Sequence, residues 1–281
     1  MTISINNATT SLMTRQAMDK VNSALFQNFQ RLASGIKINS AGDGPSAVGI
    51  AMRMTSQIGG ATAAKQNANN ALSLIQVADA ALAETTNALQ TIRDLAVGAN
   101  TTTATANDRL GSRAEVKQLV SEISRLATAT SIFGQTPLNG AFAADVQVDP
   151  NGRPLTMTIT GASLQQLGLG VSGSKLNVST AGSASAAIIA ADIAMNSVAL
   201  MRASLGGMQS RLTSIVSSLD SLALGNTNAR SRIMDTDFAA EISDMARNNI
   251  RQQAGVAIMA QANMQSQILL KLLNAGTSGG G

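Results

Sequence analysis

The hexapeptide Gly168-Leu169-Gly170-Val171-Ser172-Gly173 has the G-x-G-x-x-G spacing with which a strand, a tight turn and a helix N-terminus cradle a pyrophosphate. That chemistry needs a helix to open at the third glycine. Here Ser174 to Val178 reads as extended and the neighbouring segments read as long helices, so the spacing is that of a glycine loop. Asp235, Asp237, Glu241 and Asp244 form a carboxylate cluster with enough charge for a hard cation. The cluster lacks the turn glycine and terminal glutamate of a calcium loop. Carboxylates in the first turns of a helix complement its positive end, and this is the expected role. The hydroxyl-rich stretches Ser40 to Asp43 and Thr101 to Thr105 read as caps and loops.

The absent residue types narrow the chemistry further. With no His and no Cys there is no ordinary zinc site, no haem or iron–sulfur ligation, no thiol nucleophile and no Ser–His–Asp triad. Net charge is +4 over 281 residues, but only 13% are charged and no Lys/Arg run occurs. Aromatics make up 2%, all Phe, so the stacking platforms of a single-strand nucleic-acid surface are missing. No nucleic-acid partner is expected. No stretch reads as approaching the ~20 apolar residues of a membrane span, and Met1 to Thr10 lacks the basic and apolar regions of a cleaved secretion signal. Neither membrane insertion nor a cleaved signal is expected.

What remains is a chain that is 44% hydrophobic and aliphatic, composed for close helix packing. Residues 5–34 predict one long helix, with a seam at Ile5, Ala8, Leu12, Met18, Val21, Leu25, Phe29, Leu32 and Ile36. Asn39 to Pro45 breaks it. A second helix is expected from about Ser46 to Val97, with Gly59-Gly60 as a candidate bend. A third follows to about Ala129, capped by Asp108. The period then changes: Asp145 to Asp149 and Leu155 to Thr160 alternate around Pro150-Asn151-Gly152, which predicts a β-hairpin. Leu176 to Val178 is a candidate third strand. Helical period returns from Ala181 to Leu224, with a stop expected at Gly225-Asn226. A last helix is expected over about 232–273, carrying Phe238, Ile242, Met245, Ala254, Ile258, Ala262, Leu269 and Leu273, followed by a flexible glycine-rich tail. The two end helices carry apolar stripes that a pair cannot bury alone, and so they await partner chains. Asn22, Gln27, Asn28 and Gln30 are placed to hydrogen-bond between chains.

Several of these segments resemble a known family. RLASGIKINSAGDGPSAVGIAMR (31–53) and NANNALSLIQVADAALAETTNALQTIRDLAVGAN (67–100) are similar to the N-terminal signature of bacterial flagellin. LGGMQSRL (205–212) and ARSRIMDTDFAAEISDMARNNIRQQAGVAIMAQAN (229–263) are similar to its C-terminal signature.

The resemblance implies a mainly α fold: a long antiparallel helical rod or coiled-coil bundle with a small β-hairpin, whose terminal helices pair. It implies a discontinuous inner-tube domain at 1–43 and 232–281, disordered in the free monomer, and a rod domain at 44–231 with its β element at about 135–180. The variable outer domains of longer members are absent. The implied function is structural: self-assembly into the flagellar filament for swimming, after export through a type III route to the distal tip. No catalysis and no cofactor or metal is implied. The implied partners are further copies, other flagellins, the filament cap, hook-junction proteins, an export chaperone and the vertebrate Toll-like receptor for flagellin. The expected self-assembly residues are Leu12, Val21, Leu25, Phe29, Leu32, Phe238, Ile242, Met245, Ile258 and Leu269. The receptor motif maps to Gln90, Leu95 and Glu115, although Thr91 stands where receptor-activating members carry Arg. Pro150, Asn151 and Gly152 form a candidate supercoil hinge. The nearest rival is a hook–filament junction protein. A metalloprotease insert of the H-E-x-x-H kind is excluded by the lack of His.

Overall fold

A computed structural model of the chain describes residues 8–170 and 173–277. Its elements are α1 (Ala8–Ser34), α2 (Pro45–Ala99), α3 (Ala106–Ala129), β1 (Phe142–Gln147), β2 (Pro154–Ile159), α4 (Ala181–Met234) and α5 (Phe238–Thr277). The chain divides into two compact units. One comprises the residues up to Thr55 and those from Thr227 onward; the other is Ser56–Asn226.

In the 56–226 unit the heptad period of the sequence becomes a core. The buried positions of α2 include Ala61, Ala64, Ala68, Ala71, Ile75, Ala78, Leu82, Thr85, Leu89, Ile92, Ala96 and Ala99, at steps of three and four, with Leu74, Ala81 and Ala88 buried beside them. Those of α4 are Ala184, Ala187, Ala191, Ala194, Val198, Met201, Leu205, Leu212 and Leu219, on the same period. Three antiparallel ion pairs set the level of the two helices: Lys65–Asp220, Arg202–Asp79 and Arg93–Asp192, each 2.7 Å. All are about half exposed and add little stability. They do show how size is matched. Ile92 lies level with Ala191 and Ala194, and Ala61 and Ala64 cluster with Leu219. Bulk meets alanine at both ends of the seam, which lets the backbones approach without voids.

Helix α3 adds Val116, Val120, Ile123 and Ala127 to this core. It opens with a capping box: Asp108 N–H donates to Thr105 Oγ1 (3.2 Å) and Thr105 N–H donates to Asp108 Oδ2 (2.9 Å). The cap is therefore Thr105, with Asp108 three residues inside, rather than Asp108 itself. Hydrogen bonds from the Thr105 hydroxyl and backbone hold the Asp108 carboxyl below its ordinary 3.8. A depressed carboxylate contributes stability above its unfolded pKa and loses it as pH falls through the folded value. Thr105→Ala should raise the Asp108 pKa towards 3.8, as read by carboxyl NMR titration.

The hairpin pairs antiparallel, Phe142 with Ile159 through Gln147 with Pro154. Its first strand begins and ends earlier than the alternation of Asp145 to Asp149 suggested. Leu155, Met157 and Ile159 face the core while Thr156 and Thr158 face out. The turn residue Pro150 seats on α2 at Gly60, where an added Cβ would lie 2.9 Å from Pro150 Cβ. Gly59, next to it, has open space. Gly59→Ala should therefore stabilise the unit by up to about 1 kcal/mol through helix propensity. Gly60→Ala should instead destabilise it by about 1–2 kcal/mol by displacing the turn, both measured by urea unfolding.

Four expectations are corrected. Leu176 to Val178 is no strand, and the sheet has two strands among the described residues; Leu176 and Val178 are buried anchors of the loop that leads into α4. Helix α4 does not stop at Gly225-Asn226 but continues to Met234, because a local cost of about 1 kcal/mol for Gly is outweighed by packing along a long helix. The break falls later, at 235–237, so the last helix starts at Phe238 and not near 232. Finally, α4 holds an eighteen-residue window that is long and apolar enough to cross a membrane by composition. Its apolarity comes from two stripes: the buried alanine seam, and Ile189, Ile193 and Leu200, which are exposed.

Candidate functional site

The glycine loop is not a phosphate cradle. Gly168, Gly170 and Gly173 all have positive φ, of 74°, 78° and 69°, and the next helix starts only at Ala181. Gly173 is set by packing, since a Cβ there would lie 2.6 Å from Val120 Cγ1. Val171 and Ser172 lie outside the described residues. The acidic cluster is dispersed as well. Asp237 caps α5, accepting from the N–H groups of Ala239 (2.9 Å) and Ala240 (3.2 Å). Asp235 accepts from the Ser231 hydroxyl, Asp244 pairs with Arg247, and Glu241 turns into the pairing of α1 with α5.

That pairing is the feature with functional content. Two helix breaks meet at its base. Lys37 N–H donates to Met234 C=O (2.6 Å) and Thr236 N–H to Gly35 C=O (3.0 Å), forming an antiparallel bridge of Ile36 with Asp235. Gly35 is needed at φ 69° to leave α1 in this direction. From the clasp the helices run antiparallel. On α1 the seam is Thr14, Met18, Val21, Leu25, Asn28 and Leu32, with Met18, Leu25 and Asn28 buried. On α5 the positions turned inward, at steps of four and three, are Glu241, Met245, Asn248, Gln252, Gly255, Met259 and Ala262. Gly255 leaves room for Met18, whose sulfur a Cβ there would meet.

The seam is polar at its middle. Asn28 Nδ2 donates to Glu241 Oε1, and Asn28 Oδ1 accepts from Asn248 Nδ2 at 3.0 Å. Arg31 lies 3.8 Å from Glu241, whose side chain is 9% exposed. Gln252 Nε2 donates to Asn22 Oδ1 at 2.9 Å. Asn22 and Asn28 thus bond within the chain, not between chains as the sequence suggested. Periodicity also placed Phe29 in the seam; the residue there is Asn28, and Phe29 is 57% exposed. An unbroken three-four spacing from Met18 to Leu32 selects position 28, but only by admitting a polar residue to an apolar stripe.

Many large apolar residues of the pair point away from it. Leu12, Met13, Phe26 and Phe29 of α1 are exposed, as are Phe238, Ile242, Ile250, Val256, Ile258 and Met264 of α5. An open groove of about 500 Å³ runs between Met13–Val21 and Arg251–Ile258. Of the expected assembly residues, Leu25 is buried in the pair; Val21, Leu32 and Met245 are half-buried in it; Leu12, Phe29, Phe238, Ile242 and Ile258 face outward. The side chain of Leu269, like Ile5, lies outside the described residues. In the other unit Gln90 and Glu115 are exposed and Leu95 is half-buried. Pro150 is half-buried against Gly60, while Asn151 and Gly152 are exposed at the turn, Gly152 with φ 91°.

Residues 5–143 match the bacterial flagellin N-terminal helical region, and residues 188–273 match the bacterial flagellin C-terminal helical region. The chain is 35% identical to the flagellar filament 33 kDa core protein of Treponema phagedenis, over 96% of this chain and 99% of that one. This chain belongs to the flagellin family. It is also 33% identical to the flagellin of Bacillus subtilis strain 168, again over 96% of this chain and 99% of that one. A solved structure of a putative flagellar hook-associated protein from Vibrio parahaemolyticus shares the fold, with a TM-score of 0.59 and 17% identity over 69% of this chain and all of that one. As a flagellin, the chain is a structural protein of the flagellar filament. Neither matched region spans the hairpin turn at Pro150–Gly152, which lies between them.

Proposed function

We propose that this flagellin polymerises through the outward faces of α1 and α5, each copy covering the apolar residues of its neighbours. The observation that carries this is the make-up of α5: Glu241, Asn248, Gln252 and Gly255 sit in its contact with α1 beside Met245 and Met259, while Ile242, Ile250, Val256 and Ile258 are left to solvent. So many exposed large apolar side chains on one helix mark an interaction site. Burying a thousand Å² of it would yield on the order of 25 kcal/mol gross, offset largely by lost rigid-body freedom and ordering of the ends. The contact joins unlike faces of successive copies, so it propagates a helix and does not close a ring. The unit built on α1 and α5 supplies the inner tube, and the 56–226 unit supplies the outer layer. Delivery to the outside runs through the flagellar export route in an unfolded state, with a chaperone before export and the cap at the growing tip. Pro150–Gly152 is the point at which the hairpin shifts on α2 when the filament changes supercoil.

The test is seeded growth. Purified chain with short filament seeds should give long filaments by electron microscopy, and a version lacking residues 1–43 and 232–281 should give none. Failure of the intact chain to extend any seed would overturn the main-subunit reading and favour a junction protein, whose fold is similar.

A further inference from the structure

Residues 132–135 form a two-residue hairpin, with Ile132 N–H donating to Gln135 C=O (3.0 Å) and Gln135 N–H to Ile132 C=O (2.9 Å). Both central residues have positive φ, 52° at Phe133 and 75° at Gly134. Such a turn favours Asn or Gly at its first position, because a bulky side chain is strained there. Phe133 nevertheless holds it, and its ring is 71% exposed, so packing within the chain does not offset the strain. Strain kept under an exposed aromatic points to a contact outside the chain. Phe133 lines a groove together with Asp145, an exposed carboxylate that takes part in none of the ion pairs among the described residues. The 56–226 unit also carries the matching feature. Ala186, Ile189, Ala190 and Ile193 of α4 line an open groove of about 500 Å³, room enough for a phenyl ring, together with Lys175. Ile189 and Ile193 are exposed, and Lys175 likewise joins none of the ion pairs among the described residues. Phe133 cannot reach this groove in its own copy. It lies beside Asn67–Leu74 of α2, whereas Ile193 lies level with Arg93 through the Arg93–Asp192 pair. The separation is roughly 20 residues of helix, or about 30 Å.

We propose that Phe133 of one copy seats in the Ala186–Ile193 groove of another, with Asp145 meeting Lys175 across the contact. This rests on the polymerisation reading above and adds to it a contact made by the 56–226 units. An apolar ring beside a carboxylate matches an apolar groove beside an ammonium, and one chain carries both, so the occupant is a second copy of this chain. The two surfaces differ, so the contact is heterologous. Each copy that fills a groove still offers its own, and the array stays open at its end. Copies that lie parallel are then staggered by about 30 Å along the rod. The ring supplies the buried apolar area. The charged pair, at an exposed edge, sets register and the rate of encounter more than affinity.

Phe133→Asn in the full-length chain separates the turn from the contact, since Asn suits the turn and has no ring. It should raise the urea midpoint of the free chain, yet slow seeded elongation by about ten-fold or more, as loss of a central aromatic anchor does. Asp145→Lys and Lys175→Asp should each slow elongation about two- to five-fold, and the double variant should recover most of the parental rate. Circular dichroism shows whether each variant keeps its helices. The chain has no Cys, so single cysteines report the contact between copies. Gln135 and Ala186 are exposed beside the two partners. A seeded mixture of Gln135→Cys and Ala186→Cys chains should be joined by a short bismaleimide. Parental elongation by Phe133→Asn, a double charge variant no faster than the single ones, or no cross-link in growing filaments overturns the proposal and leaves the polymerisation reading standing. If the parent extends no seed, that reading fails instead. The cysteine mixture is then cross-linked at high protein concentration, where a joined dimer upholds the contact and its absence overturns it.

Discussion

Replacing Ile250 and Ile258 with aspartate should abolish seeded filament growth while leaving the free chain folded. Both side chains point to solvent, at 67% and 56% exposure, so the substitutions remove no contact within the chain. The cost arises only when a neighbouring copy covers them. A carboxylate desolvated in an apolar contact without a partner costs several kcal/mol, and an interface repeated at every subunit presents that cost at each addition. Elongation, followed by light scattering from seeds, should fall below detection. The circular dichroism spectrum and the thermal unfolding of the 56–226 unit should match the parent. Growth at the parental rate would show that this face is not used.

Leu89→Ala should be the most damaging single truncation for the fold. Leu89 is fully buried in the α2 seam and is one of the largest side chains with no exposure. Truncating a fully buried Leu side chain leaves a cavity and costs about 3–5 kcal/mol. For a domain of this size that lowers Tm by roughly 10 °C, measured by calorimetry.

Much of the architecture was legible in one sequence because its causes are local. An unbroken three-four spacing over Ala61–Ala99 is a helix whatever surrounds it. Asn39 to Pro45 cannot continue a helix, and the alternation around Pro150-Asn151-Gly152 has the period of strands. The family resemblance rested on whole segments, which is why it held when single residues did not. Where local cues were weak, the reading slipped. Gly225-Asn226 suggested a stop that packing along α4 overrides, and the true break lies where Asp237 caps a new helix and Gly35 and Thr236 share a backbone bond.

The assembly residues divide along the same line. Periodicity reports that a stripe is apolar but not what covers it. Periodicity places Phe29, Ile242 and Ile258 on apolar stripes, and in the folded chain all three face solvent. Asn28, Glu241 and Asn248 look like solvated polar positions in the sequence and are the centre of the α1–α5 contact. Composition and spacing determined that this chain is a set of long aliphatic helices with a hairpin and no catalytic apparatus of the His or Cys kind. Only the tertiary structure decided which face of α5 meets α1. That contact is made of hydrogen bonds between residues more than two hundred positions apart, and no local pattern encodes it.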